Sequence, residues 1–395
     1  MSYFAKFTIL WILYNILACT EQNKETYTKD HSDSVIKVEI ENDLLDHLDI
    51  LPIVDTIIPL EVTENNLIGM VGKIRQYHDD YYIFDVQRRK INVFDNSGRF
   101  KYNLGQEGKG PGELVFPGDF FADLSLDAVA VSDIRTGRVN YFNTSGQIIK
   151  EIPMAQKGVN FINGISIPEG VTWVLNHEWL NNEYEYVVKL NSTSGKIVAS
   201  FLSPGIEFYS STTNPMFLTY NGSNVYLSLA YDNEIYELSP ESVSMKYRID
   251  FGRYNLTAEE KNQNKYVFLE TLHRTDRASG IINFNKLKND ILYFAFDIGL
   301  EKYHYFYDEK RQQGIGAKNI VLSGIPVQIW GYDQNFQLIG NINHLPESIS
   351  VSTKKAESEK EENILEIIHK IDFETSNPVL VKFNNVENIF LDQSN

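Results

Sequence analysis

Apolar and polar residues alternate in short segments along most of the chain, and turns rich in Asn, Asp and Gly separate these segments. The alternation is typical of strands with one face inward. Three segments share one order of strand pattern, polar turn, glycine and next strand: 91–100, 139–148 and 187–197. Their glycines lie 48 and 49 positions apart: Gly98, Gly146 and Gly195. We expect a positive φ angle at each glycine, in a tight hairpin turn.

A period near 48 residues fits a four-stranded propeller blade, which typically takes ~40–50 residues. Two segments interrupt the strand pattern with helical signals, from Thr257 to about Leu272 and from Lys354 to about Lys370. Without them, the length after residue 64 accommodates six periods. The sequence therefore predicts an all-β fold, a six-bladed β-propeller with small helical insertions, over residues 41–395. We expect the run 50–62 to pair with 378–383 and close the ring.

The N-terminus has the pattern of an export signal. Lys6 precedes an apolar stretch that is too short to span a bilayer comfortably and ends at Cys19. Residues 16–19 match a bacterial lipobox, which predicts a signal peptide over 1–18, an acylated Cys19, and a polar tether over 19–40. A plain secretory peptide with a chance cysteine is the alternative.

Charge and cysteine content narrow the function classes. The 395 residues carry a formal charge of −17, and no run of basic residues forms a local patch, so nucleic acid is not an expected partner. A single cysteine excludes disulfide frameworks, Cys-rich zinc sites and Fe–S clusters.

Several motifs together resemble a known family. They are the lipobox, Ile58-Pro59-Leu60-Glu61, Tyr82-Ile83-Phe84-Asp85, Ile91-Asn92-Val93-Phe94-Asp95, the run 105–113 and Asn377-Pro378-Val379-Leu380-Val381. This set is similar to the TolB-like six-bladed β-propeller lipoproteins of Gram-negative bacteria. The resemblance implies a propeller tethered to the cell envelope, and it implies no reaction, because fold does not fix function.

The most specific of these motifs is glycine-rich: Gly108-Lys109-Gly110-Pro111-Gly112-Glu113. It lacks the Gly-Lys-Ser/Thr ending of a phosphate loop, and Pro111 removes one amide donor. The motif instead indicates a tight loop between the first and second blades, with Gly108, Gly110, Pro111 and Gly112 as its structural positions. Lys109 and Glu113 are candidate binding residues if they project toward the central channel; a purely structural corner is the favoured alternative.

Metal and catalytic motifs are weak. The eight histidines show no metal-ligand spacing, and no Gly-x-Ser-x-Gly elbow occurs. Four strand-end carboxylates could converge near the axis and hold calcium, although such residues usually accept hydrogen bonds from turn amides: Asp85, Asp95, Asp133 and Asp232. We therefore assign no metal, no cofactor and no catalytic residue.

Aromatic residues cluster in the third blade, where His177 and Trp179 lie in a connection longer than a minimal hairpin. Sugars stack on exposed aromatic rings, which makes these two residues candidate binding positions, with core packing as the alternative for the aromatics. The sequence thus favours a non-enzymatic binding or scaffold module for a peptide, glycan or protein partner. We expect it to be lipid-anchored in the envelope, at the outer membrane. A propeller lyase or hydrolase acting on polysaccharide or lactone is the alternative.

Overall fold

The computed structural model describes residues 34–154, 161–176, 187–202, 218–229, 231–240, 242–263, 265–274, 276–343, 356, 358–373 and 376–391. Most of these residues form short strands. In chain order the strands are β1 (Ser34–Lys37), β2 (Leu44–Asp49), β3 (Val54–Pro59), β4 (Val71–Tyr77), β5 (Asp80–Asp85), β6 (Lys90–Asp95), β7 (Phe100–Asn103), β8 (Gln106–Glu107), β9 (Glu113–Leu114), β10 (Pro117–Asp123), β11 (Ala128–Asp133), β12 (Arg138–Phe142), β13 (Ile148–Pro153), β14 (Phe161–Ile167) and β15 (Val171–Asn176). They continue with β16 (Val187–Asn191), β17 (Ile197–Phe201), β18 (Leu218–Tyr220), β19 (Val225–Ser228), β20 (Glu234–Leu238), β21 (Val243–Asp250), β22 (Ala278–Lys286), β23 (Ile291–Ile298), β24 (Glu301–Asp308), β25 (Gln313–Leu322), β26 (Ile325–Pro326), β27 (Gln328–Tyr332), β28 (Leu338–Ile342) and β29 (Val379–Phe383).

Helices are few and short among the described residues. The α-helices are α1 (Ile40–Asp43), α2 (Ala258–Lys261), α3 (Lys265–Arg274) and α4 (Glu359–Lys370). The 3-10 turns are Leu51–Ile53, Gly252–Tyr254, Lys288–Asp290 and Val386–Phe390. Both predicted helical insertions are present. The first is split into α2 and α3, and its capping box is formed by Thr257 and Glu260; the second begins at Glu359, later than expected.

The strands form successive antiparallel sheets in a propeller-like arrangement. Two sheets have four strands each, β10 to β13 and β14 to β17. Two further sheets, β18 to β21 and β22 to β25, each gain one N-terminal strand in parallel, β1 on β21 and β2 on β25. An eight-stranded sheet runs in the order β3-β29-β28-β27-β4-β5-β6-β7. We call β4, β10, β14, β18, β22 and β27 the leading strands, because each begins one succession of hairpins.

The N-terminal boundary differs from the sequence prediction. The predicted tether covered residues 19–40, but β1 pairs with β21 from Ser34 to Lys37, and Ile36 is buried in this contact. The folded part of the chain therefore includes residues from Ser34 onward.

The predicted pairing between the two ends of the folded chain is confirmed. Strand β29 pairs with β3 in antiparallel register, so that Leu380 lies opposite Ile58 and Phe383 opposite Val54. A segment near the start of the chain thus completes the sheet of a segment near its end. Sharing one sheet between both ends joins distant parts of the sequence and leaves fewer unpaired strand edges.

The repeated turn is also confirmed. In 95–99 the Asp95 carbonyl accepts from the Gly98 amide at 3.0 Å, and the Asp95 carboxylate accepts from the Ser97 and Arg99 amides. Asn143 makes the same bonds one repeat later. The φ angles of Gly98, Gly146 and Gly195 are 86°, 79° and 61°, as the sequence pattern predicted.

Packing between the sheets is apolar and rich in aromatic side chains. Trp173 on β15 is fully buried beside Phe201, in a cluster that joins the sheet β14 to β17 to the sheet β18 to β21. Tyr226, Tyr247 and Phe284 join the sheet β18 to β21 to the sheet β22 to β25 in the same way. These faces hold the leading strands in fixed relation to each other, which makes a site at their ends possible.

Candidate functional site

A cavity of about 250 Å³ lies where the leading strands end. Five of the six leading strands, or the turns that follow them, contribute to its wall: β4, β10, β14, β18 and β27. A site that so many successive sheets share lies at the centre of the arrangement. We call this cavity the axial pocket.

The wall of the axial pocket is mainly aromatic and aliphatic. Tyr332 at the end of β27 packs against the Arg75 guanidinium, which lies 3.9 Å from the ring centroid. Tyr220 at the end of β18 meets Phe336 edge-on, with ring centroids 5.3 Å apart and planes at 87°. Phe121 on β10 completes this aromatic lining. The pocket therefore offers ring faces and edges more than polar groups.

Phe336 occupies an unusual backbone conformation. It lies in the turn 333–337 with a φ angle of 62°, in the left-handed region that bulky residues rarely adopt. The Asp333 carbonyl accepts from the Phe336 amide, and the Asp333 amide donates to the Gln337 carbonyl. The Asp333 carboxylate accepts from the Asn335 and Gln337 amides. The turn at Asp95 makes the same four hydrogen bonds. Phe336 thus stands where the repeated turn elsewhere carries glycine.

A buried ion pair links the leading strands beside the pocket. Lys73 Nζ on β4 lies 2.6 Å from Asp119 Oδ1 on β10, and the second carboxylate oxygen accepts from the Gly164 amide on β14 at 3.1 Å. Burial lowers the pKa of Lys73 to about 8, against the attraction of Asp119, and nearby Arg75 lowers it further. Burial also raises the pKa of Asp119. The pair fastens three successive sheets together.

Strand irregularities place these polar side chains. Each of the three leading strands shifts register just before the polar residue, between Val71 and Lys73, between Pro117 and Asp119, and between Phe161 and Asn163. An extra residue at a bulge rotates the strand and changes which side chain faces inward. The repeated bulge explains how charged side chains come to lie inside an otherwise apolar fold.

The rim of the pocket joins two turns through one carboxylate. Tyr77 Oη and His78 Nε2 both lie 2.7 Å from Asp127 Oδ1. These two hydrogen bonds hold the pKa of Asp127 below its ordinary value, and burial raises the pKa of Tyr77. The contacts fix the rim but leave His78 and Asp127 more than half exposed.

The glycine-rich loop that the sequence singled out lies elsewhere. It connects β8 and β9 and packs on the outer strand β13, where the Gly112 amide donates to Glu151 Oε1 at 2.8 Å. Glu113 turns its carboxylate onto its own loop and accepts from the Gly110 amide at 2.7 Å. Lys109 is exposed and makes no hydrogen bond or ion pair with any described residue. Neither Lys109 nor Glu113 lines the axial pocket.

The remaining loop positions support a structural role. Gly112 has a φ angle of 74°, and a Cβ there would lie 2.9 Å from the Ile148 side chain. Gly108 packs directly on the Glu113 carboxylate, and Pro111 is exposed. Three other candidates, Cys19, His177 and Trp179, lie outside the described residues.

The strand-end carboxylates largely make turn contacts. Asp85 accepts from the Gly69 and Arg88 amides, and Asp133 accepts from Val115 and Thr136. Within the described ranges, no group of three or more His, Cys, Asp or Glu side chains is placed to hold a metal ion.

Asp232 differs from the other strand-end carboxylates. Burial raises its pKa, and Lys261 Nζ lies 3.7 Å away. It also accepts a hydrogen bond from the Asn233 amide. The Lys261 ammonium therefore supplies the positive charge beside the Asp232 carboxylate.

A basic cavity contradicts one sequence expectation. Arg88, Arg89 and Lys90 share a cavity of about 620 Å³ between β6 and the start of the glycine-rich loop. The guanidinium of Arg89 stacks on Phe116 at 4.1 Å, and Arg88 lies 3.7 Å from Asp85. Three consecutive cations do form a local group, although two of them already have partners inside the protein.

Sequence reasoning missed Arg75, Tyr332 and Phe336. A signal for Phe336 existed, because Asp333-Gln334-Asn335-Phe336-Gln337 follows the order of the repeated turns with phenylalanine in place of glycine. Arg75 and Tyr332 carry no such mark. Their meeting depends on the parallel contact between β27 and β4, where Tyr332 lies opposite Arg75.

Among the described residues, no helix has the length and apolar character that crossing a membrane requires. Two solved structures are similar to the chain. A predicted exported protein of Bacteroides fragilis NCTC 9343 has a TM-score of 0.73 at 17% identity, with 89% of this chain and 99% of that chain covered. A member of the DUF4221 family from Bacteroides vulgatus ATCC 8482 has a TM-score of 0.53 at 11% identity, covering 84% and 97% of the two chains.

At these identities the two structures establish the fold alone. No curated protein matches the sequence significantly. The family model for the domain of unknown function DUF4934 matches residues 34–384, from the first described strand to just beyond β29. On this match, which spans most of the chain, the protein belongs to the DUF4934 family.

Proposed function

We propose that the protein is a six-bladed, envelope-anchored propeller that acts as a binding module for a peptide, glycan or protein partner, with the axial pocket as its ligand site. The observation that carries this proposal is the pocket itself, since side chains from five leading strands converge on one concave, largely apolar surface. Ligand sites are typically concave and apolar with a few polar groups.

The count of six blades rests on the eight-stranded sheet. Its two halves, β3-β29-β28-β27 and β4 to β7, each have four strands, and they meet through only two residue pairs of β27 and β4. Gly331 allows this approach, because a Cβ there would collide with the Ile74 carbonyl. Counting the halves as separate blades gives six, in accord with the resemblance to TolB-like propeller lipoproteins.

The proposed location rests on the N-terminal sequence and on the exported neighbour. Acylation at Cys19 would hold the protein at a membrane, since several acyl chains anchor far more firmly than one. We place the anchor at the outer membrane, with no nucleic acid partner in view of the charge of −17. Replacing Cys19 with Ser should abolish incorporation of labelled fatty acid and release the protein; unchanged labelling would refute the anchor.

The pocket assignment is tested by filling the cavity. Ala122 lies on its wall, and Ala122→Phe would occupy much of the space; Ala258→Phe, on the exposed first turn of α2, is the matched control. On peptide and glycan arrays we expect the full chain and the control to share a binding profile that Ala122→Phe loses. Retention of the profile by a folded Ala122→Phe protein would place binding elsewhere.

A propeller lyase or hydrolase is the second candidate function, favoured by the Lys73–Asp119 pair with pKa values displaced toward neutrality. Such displacement is common at catalytic sites but also in structural ion pairs. The two side chains are only 2% and 4% exposed, and neither lines the pocket, which favours the binding module. Turnover of a polysaccharide or lactone that Asp119→Asn abolishes, in a folded protein, would reverse this preference.

Of the binding residues predicted from the sequence, Lys109 remains available to a partner. His177 and Trp179 also remain candidates. Glu113 is better explained as a loop residue, because its carboxylate serves the Gly110 amide.

A further inference from the structure

We propose that the axial pocket receives a planar aromatic ring, of the kind that Phe, Tyr and Trp side chains carry, and that Phe336 determines this specificity. The inference rests on the proposed function, in which the axial pocket is the ligand site. It adds the chemical class of the ligand and one residue that selects it.

The backbone of Phe336 is the first observation. Its φ angle of 62° is one that glycine adopts readily and that phenylalanine adopts at a cost. The same turn at Gly98 and Gly146 uses glycine. Strained residues persist where the surroundings enforce them, and they concentrate at functional sites. The turn at Asp333 thus keeps an aromatic ring in a position where glycine would relieve the backbone.

The environment of the ring is the second observation. Gly222 leaves space for it, because a Cβ at that position would lie 2.8 Å from Phe336 Cε2. The Phe336 ring meets the Tyr220 ring at nearly right angles, and its centroid lies 6.4 Å from the centroid of the Tyr332 ring. Aromatic rings prefer edge-to-face and offset contacts with other rings. Three rings on one wall therefore provide complementary surfaces for a fourth.

Volume restricts what can enter. Pockets for drug-sized ligands measure roughly 300–1,000 Å³, whereas the axial pocket measures about 250 Å³. One side chain or one ring system fits this space, and an oligosaccharide does not. A single residue of a peptide can insert here while the rest of the peptide stays outside.

Two buried polar side chains of the wall, Ser166 and Asp333, argue against a sugar. Ser166 donates its hydroxyl to Asp123 at 2.9 Å, and Asp333 is paired with Lys382 at 3.2 Å while it accepts two turn amides. These groups are already engaged within the protein. A sugar needs partners for several hydroxyls, and burying them without partners is costly. An aromatic ring makes no such demand.

The test uses four small probes and the full chain. They are N-acetyl-phenylalaninamide, N-acetyl-leucinamide, p-cresol and methyl α-glucoside, titrated by NMR chemical shifts. We expect the phenylalanine probe to bind at least several-fold more tightly than the leucine probe, and methyl α-glucoside not to bind. Comparison with p-cresol separates a peptide source from a free aromatic compound: tighter binding of the amide indicates a peptide, and equal binding indicates the ring alone.

Variants at one position then assign the specificity. Phe336→Leu should weaken binding of the phenylalanine probe about tenfold, and Phe336→Tyr should restore it. Phe100→Leu is the control, because Phe100 is a half-buried aromatic residue on β7, away from the pocket. It should leave binding unchanged. Thermal melts confirm that each variant is folded.

The outcomes separate this inference from the proposed function. Equal binding of the leucine and phenylalanine probes, preference for methyl α-glucoside, or normal binding by Phe336→Leu would each overturn the aromatic specificity while the pocket remained a ligand site. Failure of all four probes to bind, together with an array profile that Ala122→Phe leaves intact, would overturn both.

Discussion

Two turns of this protein make the same hydrogen bonds with different residues. In 95–99 and 333–337 an aspartate accepts amide bonds on its carboxylate, and the fourth residue closes the turn with a positive φ angle, 86° at Gly98 and 62° at Phe336. The first turn joins β6 to β7 at the outside of a sheet. The second joins β27 to β28 beside the axial pocket.

The difference shows that hydrogen bonding defines the turn and that the surroundings choose the residue. At Gly98 a Cβ would press on the Pro59 carbonyl and the Ile58 side chain, so glycine is required sterically. At Phe336 the ring has space against Tyr220 above Gly222. One position is thus constrained by packing, and the other accepts backbone strain in order to present a ring.

The largest effect is expected for Asp333→Ala. Asp333 is 4% exposed and pairs with Lys382, which is 17% exposed. Its removal leaves two turn amides without their acceptor and leaves the largely buried Lys382 ammonium with only the neutral Gln76 Oε1 as a side-chain partner. We expect a loss of about 3 kcal/mol in the free energy of unfolding. Asp95→Ala, whose partner Arg99 is 77% exposed, should cost only about 1 kcal/mol. Equal costs in urea denaturation would contradict the contrast.

Gly98→Ala comes next. It forces a side chain into the left-handed region and against the Pro59 carbonyl, and we expect a loss of about 2 kcal/mol. Gly170→Ala isolates the backbone part, because Gly170 has a φ angle of 78° and a Cβ added there would meet no other atom within 4 Å; it should cost about 1 kcal/mol. If both variants lose the same stability, packing does not constrain Gly98.

The repeat made the first of these turns predictable from the sequence. Three Asn/Asp turns with glycine at a spacing near 48 residues indicate both the hairpin and its positive φ angle. The pairing of β3 with β29 was also within reach, since the strand-like runs outside the repeats lay at the two ends. Local patterns of this kind report on hydrogen bonding and on which face is buried.

The candidate site was much less predictable. The glycine-rich loop drew attention because it is distinctive in sequence, yet Gly112 and Glu113 satisfy local contacts with Glu151 and Gly110. Arg75 and Tyr332 are ordinary strand residues that meet only when β27 and β4 come together. Contacts between strands so far apart in the chain leave no periodic trace in a single sequence.

Lowering the pH should remove the contribution of the Asp95 carboxylate to stability in the turn 95–99. Partial burial raises the pKa of Asp95, but hydrogen bonds from Ser97 and Arg99 lower it more, to about 2. A folded-state pKa below the ordinary 3.8 adds stability above about pH 4 that is lost as the pH falls toward 2. We expect wild type to exceed Asp95→Asn by about 1 kcal/mol at pH 7 and to lose this advantage by pH 2. A difference independent of pH would mean that the Asp95 charge is immaterial.

The smallest effect on stability is expected for Phe336→Gly. Glycine relieves a backbone conformation that costs phenylalanine about 1–2 kcal/mol, while loss of the edge-to-face contact with Tyr220 costs about 0.5–1.5 kcal/mol. The half-buried position limits the further loss of apolar contact, so we expect the free energy of unfolding to change by less than about 1 kcal/mol. Asn289→Gly, at a φ angle of 60° on the protein surface, is the control for release of backbone strain, and it also removes the exposed hydrogen bond from Asn289 Nδ2 to Glu387 Oε1. A loss above about 2 kcal/mol in the free energy of unfolding of Phe336→Gly would show that the fold requires the packing of this ring. Near-constant stability, combined with loss of the array profile or of probe binding, would show that the strain at this turn serves the pocket.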